Sequence, residues 1–146
     1  MLGKGQKLPD EDEVMRHVSW ARLKRDENEI VVGFYPSAFD DPLGCSVNWL
    51  QYFAGDRETK IVRSVEMFRV TRSVGSKHAF GIAGVKKIKD ACGEFGVSVK
   101  IVYLPEDENK SHAEIQRIPS ENFELLAALA DEAFTTLIKN SDIPIN

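Results

Sequence analysis

The chain is poor in the residues from which small active sites and covalent scaffolds are most simply built. Among 146 residues there are two cysteines, three histidines and two tryptophans. Cys45 and Cys92 are too few for a disulfide framework and are expected as free thiols in a reducing compartment. His17, His78 and His112 are scattered, and none forms a ligand pair of zinc spacing with a cysteine, so neither a metal nor a cofactor is expected. No apolar run approaches the roughly 20 residues of a membrane-spanning helix. The opening "MLGKGQKLPDEDE" lacks the apolar core of a secretory signal and turns acidic at once. A cytoplasmic protein without a membrane partner is the expectation.

Nucleotide loops are missing as well. Around Gly75, Gly81 and Gly84 the spacing fails the phosphate-loop pattern, because five residues separate the first two glycines and Ile82 follows the second. His112 and Glu114 reproduce the His-x-Glu of zinc deaminases, but no cysteine follows Cys92 to complete that site. Repeats and low-complexity linkers are absent, which leaves one domain.

The remaining sequence has globular composition, with 42% hydrophobic and 29% charged residues. Residues 1–9 carry no burial pattern and are expected to be flexible, with one globular domain over 10–146. The alternation in 14–20 favours a strand, although Val14, Val18 and Ala21 also fit one helical face, and the β-branched "EIVVGFY" (29–35) predicts a strand. "HAFGIAGV" (78–85), "VSVKIVYL" (97–104) and "HAEIQRI" (112–118) predict three more, the last two pairing antiparallel. Val47, Leu50 and Phe53, behind Ser46 as a cap, predict a short helix over 45–53. Helices are also expected over 58–72, over 85–95, and as one long C-terminal helix capped by Ser120, with an apolar period running from Phe123 to Ile138. The fold class is α+β: a small, mainly antiparallel sheet covered by helices. Leu125 and Leu129 broaden the last helix's stripe enough to suit a homodimer.

Charge is unevenly spread. Residues 57–89 hold nine Lys/Arg against two acids, a balance of +7, while the rest holds ten against twenty-one, a balance of −11. If the two middle helices lie side by side, Arg63, Arg69, Arg72, Lys86 and Lys87 form one basic surface for an acidic protein or a nucleic acid. The plainer reading is a solvated surface partly neutralised by neighbouring acids.

An enzymatic alternative rests on Arg16, His17, His112 and Glu114. On strands, His112 and Glu114 share a face, where a carboxylate could orient a general base, and Arg16 could clamp an anionic substrate. That would be a small hydrolase or transferase. Against it, the solvent side of a hairpin strand would also read His-Glu-Gln through Gln116.

The order "LPDEDEVMRHVSW", "SVNWLQYF" and "SHAEIQRIP" before a helical segment is similar to a group of small uncharacterised bacterial proteins. The resemblance covers most of the chain and implies a self-contained bacterial domain, with no activity or site residue attached. The expected function is therefore a small accessory protein that docks an acidic macromolecule.

Overall fold

A computed structural model of the chain describes residues 2–145. Eight strands and three α-helices follow in the order β1 (Glu13–Val18), β2 (Leu23–Arg25), β3 (Val31–Phe34), β4 (Cys45–Trp49), α1 (Arg57–Thr71), β5 (Ala79–Gly84), α2 (Val85–Gly93), β6 (Lys100–Tyr103), β7 (His112–Gln116), α3 (Phe123–Ala128) and β8 (Thr136–Lys139). Six strands form one antiparallel sheet in the order β6-β7-β4-β1-β5-β8, and β2 with β3 makes a separate hairpin. The α+β architecture is as expected.

Strand alternation divides the core in two. Met15, Phe80 and Ile82 face α1, whose Ile61, Val65 and Phe68 pack onto them with Leu50. Val14, Val47, Ala113 and Ile115 face the opposite way, beneath α2, α3 and the hairpin. Gly81 shows why a strand with interior glycines works there. A Cβ at that position would stand 2.9 Å from Phe34 Cζ and 3.2 Å from Phe134 Cδ1, so the glycine leaves room for two rings to approach the sheet.

A buried polar chain fastens α1 to the first of these faces. Asn48 Nδ2 donates to Ser64 O and Ser64 Oγ, both at 3.2 Å, and Asn48 Oδ1 accepts from Asn109 Nδ2 at 2.8 Å. Asn109 Oδ1 in turn accepts from the N–H and hydroxyl of Ser111. Every member is buried and bonded, the condition under which such a network specifies a core instead of weakening it.

Two expectations require correction. Residues 45–53 form β4 and a single 3-10 turn, Leu50–Tyr52, instead of a helix. Cys45, Val47 and Trp49 also satisfy a period of two, and β4 lies between β1 and β7, so pairing on both edges outweighs a short helix's propensity. The long C-terminal helix is replaced by eleven helical residues. α3 is capped by Asn122, whose Oδ1 accepts from Leu125 N–H at 3.2 Å, while Ser120 donates to Asp40 instead. After α3 one π turn, Leu129–Ala133, is closed by Phe134 N–H donating to Leu129 O at 2.9 Å. That turn delivers the fully buried Phe134 ring onto Phe39, with centroids 4.4 Å apart, and frees Thr136–Lys139 to pair with β5. Leu125 and Leu129 are buried within the chain's own core, so the stripe offered for a homodimer is already covered.

The N-terminal stretch expected to be flexible lies along the outer edge of β6. Leu8 N–H donates to Ile101 O at 2.9 Å, and Tyr103 N–H to Gln6 O at 2.8 Å. Among the described residues no helix is long and apolar enough to cross a membrane. Both cysteines are free and buried, and burial raises Cys45 and pushes Cys92 to about 11, which keeps them protonated and unreactive.

Two substitutions test this packing. Asn48→Ala strands Asn109 Nδ2 in the core, so urea unfolding should show a loss of about 1–3 kcal/mol. Gly81→Ala should cost about 1–3 kcal/mol through overpacking against Phe34 and Phe134.

Candidate functional site

An open cleft of about 490 Å³ lies between the hairpin and the β5–β8 end of the sheet. Local turn chemistry sets its first wall. Asp26 Oδ1 accepts from Asn28 and Ile30 N–H at 2.8 and 3.0 Å, and Glu29 takes a left-handed φ of 62° to close the β2–β3 connection. This places Ile30 and Val31 on the cleft, with Trp20 beside them from the turn after β1. The Arg25 guanidinium stands 4.1 Å from the Trp20 ring centre, and Lys77 Nζ stands 5.2 Å from it. Arg25 also pairs with Glu29 at 3.6 Å, so those two charges cancel locally.

The opposite wall is the connection from α1 to β5 together with the end of β8. Its anchor is Asn140, whose Nδ2 donates to Gly75 O at 3.1 Å and whose N–H donates to His78 O at 2.9 Å. Arg69 locks that anchor with five hydrogen bonds of 2.8–3.0 Å, to Asn140 Oδ1 (twice), Asn140 O, Ile143 O and Pro144 O. Ser76, Lys77, His78, Lys139 and Ser141 then line the cleft. Lys77 and Lys139 have no carboxylate partner among the described residues.

His78 leads from the cleft into the sheet. Its Nδ1 lies 2.8 Å from His17 Nε2, and the rings stack with centroids 5.1 Å apart. One proton occupies this bond, so one imidazole donates and the other accepts. Phe68 and Phe80 flank the His17 ring. Burial, then His78 and the cations Arg72 and Arg16, push the His17 pKa from 6.5 down to about 4. Chemically the cleft offers two ammonium groups, one imidazole and an indole face against one carboxylate, Glu29, which is paired with Arg25, a set suited to holding an anion.

Of the four residues of the enzymatic alternative, Arg16 and His112 each bond Ser46, the register partner of Glu114, while His17 contacts His78. Arg16 and His17 are neighbours on β1 and so project to opposite faces of the sheet. Arg16 is 4% exposed, and its guanidinium donates to Ala38 O at 3.1 Å and Ser46 O at 2.8 Å, where β1 and β4 cease to pair. It is a framework clamp on the Pro36–Phe39 turn. His112 is not on a wet hairpin face: β7 is flanked by β6 and β4, and His112 is 7% exposed. Leu104 O can only accept, so His112 Nδ1 donates to it at 2.7 Å, and in the neutral ring Nε2 accepts from Ser46 Oγ at 3.2 Å. A serine–imidazole contact results, but the 490 Å³ cleft borders neither residue. Glu114 stands opposite Ser46 on the adjoining strand and receives Gln116 Nε2 at 3.3 Å.

The basic residues of the middle segment are divided as well. α1 and α2 cover opposite faces of the sheet, so Arg63 and Arg72 are separated from Lys86 and Lys87. Lys86 pairs with Asp90 at 2.7 Å, Lys89 with Asp10 at 2.6 Å, Arg57 with Glu13 at 3.0 Å, and Arg69 is consumed by the C-terminal segment. Arg63, Arg72 and Lys87 remain exposed. No sequence spacing links the cleft residues Trp20, Lys77, His78 and Lys139, because they come from three separate segments and Lys139 directly follows the stretch where a helix was expected. Among the described residues no group of three His, Cys, Asp or Glu side chains is placed to hold a metal ion. No protein-family model, curated protein or solved structure matches the chain.

The His17–His78 contact makes a pH prediction. Between pH 6.5 and about 4 the unfolded chain binds a proton at His17 that the folded chain does not, so stability falls as the pH drops through that window. Urea midpoints measured from pH 7 to pH 4 should decline, and His17→Phe should flatten the slope.

Proposed function

We propose that this chain is a small binding protein that docks an acidic macromolecular partner, and that its contact point is the cleft beside Trp20. The observation that carries this reading is the pair Lys77 and Lys139, both without a carboxylate partner among the described residues, converging with His78 on one open concavity next to an indole ring. Elsewhere the basic residues of the middle segment are largely tied to local acids or to backbone carbonyls. A carboxylate entering the cleft would exchange water for two ammonium donors at the rim of an apolar wall, where screening is weaker than on an open surface.

Trp20 reports on the site, because Trp49 is 6% exposed and bonded to Asp12. Polyglutamate titrated at low salt should change Trp20 fluorescence, with affinity falling as salt is raised. The double variant Lys77→Glu, Lys139→Glu should weaken binding by about tenfold or more, as expected for removing and reversing two exposed charges. Equal binding by the variant, or binding insensitive to salt, would overturn the reading.

A further inference from the structure

The two edges of the main sheet are treated differently. Hydrogen-bonded pairs alternate along an antiparallel ladder. On the β6 side, Ile101 O, Tyr103 N–H and Tyr103 O face outward and are taken by Leu8, Gln6 and Gly5. On the β8 side, Asn140 N–H donates to His78 O, which fixes the phase: Ile138 and Thr136 bond inward to β5. Leu137 N–H, Leu137 O and Lys139 N–H therefore point away from the sheet, and no backbone or side-chain bond reaches them among the described residues. Lys139 O is used by the 3-10 turn that follows.

This open edge runs between two clefts. Leu137 and Thr135 border one of about 230 Å³, and Lys139 borders the 490 Å³ cleft with Lys77 and His78. β3 forms the far wall of both, with Val32 64% exposed and Ile30 51% exposed beside the edge.

We infer that an extended acidic segment of a partner protein adds to β8 as the seventh strand of the sheet, with an acidic side chain seated between Lys77 and Lys139. The inference rests on the docking function proposed above and deepens it by naming the partner's conformation. Charge selects this occupant. A second copy of the chain paired edge to edge would bring two lysine-bearing edges together, whereas an acidic strand neutralises Lys77 and Lys139 while its backbone satisfies Leu137 and Lys139. Exposed apolar side chains on β3 suit the alternate residues of such a strand.

Two peptides of alternating valine and glutamate separate the outcomes, one unmodified and one N-methylated at every amide. Both carry the same charge, but only the first can pair along a strand edge. The unmodified peptide should bind at least about tenfold more tightly and slow amide exchange at Leu137 and Lys139. Lys139→Pro, which removes an outward N–H that the sheet does not use, should abolish binding while Lys139→Gln only weakens it, with thermal unfolding confirming that both variants fold. Equal, salt-dependent binding of the two peptides overturns strand addition and leaves the cationic cleft standing. No binding by either overturns both. A concentration-dependent dimer with Leu137 and Lys139 already protected assigns the edge to a second copy and overturns the inference.

Discussion

Six consecutive residue pairs, Glu13–Val18 against Ala79–Gly84, join β1 to β5, and the molecule is arranged around that ladder. It connects segments more than sixty residues apart in the chain and fixes which side chains of β1 meet which layer. Because alternate residues face opposite ways, Met15 and His17 are committed to α1, while Val14, Arg16 and Val18 are committed to the other core. The His17–His78 contact, the Arg16 clamp and the position of the loop bearing Lys77 all follow from its register. A slip of one residue would exchange a buried guanidinium for an imidazole on each face and leave both without partners.

Polar groups in this protein mostly hold the frame. Arg16 and Arg69 donate to backbone and amide oxygens instead of projecting their charge outward, and Asn48, Asn109 and Asn140 spend their amides on joining elements. Surface pairs such as Lys86–Asp90 and Lys89–Asp10 contribute little to stability, but they remove cations from any extended field. What survives as usable positive charge near an apolar wall is local and small. The cleft with Trp20, Lys77, His78 and Lys139 is significant for that reason, and the open backbone edge beside it gives the charge a direction.

Sequence periodicity located most elements where neighbours did not have to decide. The stripe Ile61, Val65 and Phe68 marked α1 because it repeats over fifteen residues, and the alternation in 97–104 marked β6 and its partner β7. It failed at 45–53 and beyond 133, where short apolar stretches fit both periods and flanking strands settled the matter. His112 was misplaced for a related reason: its ring is held by Leu104 O and Ser46 Oγ, residues 8 and 66 positions away, and no local alternation reveals such contacts. Of the candidate site, only the general expectation of unpaired basic charge was legible. Its members lie at positions 20, 77, 78 and 139, and no spacing rule links them.

By itself the amino-acid sequence determined the class of object: one α+β domain with free cysteines, no membrane-spanning helix among the described residues, and an uneven charge pattern. These depend on composition and on local period, which a chain carries before it folds. Only tertiary structure decided which bases are consumed, which histidine is buried, and which strand edge stays open. Those outcomes depend on distances between residues far apart in sequence, and such distances do not exist until the sheet has chosen its register.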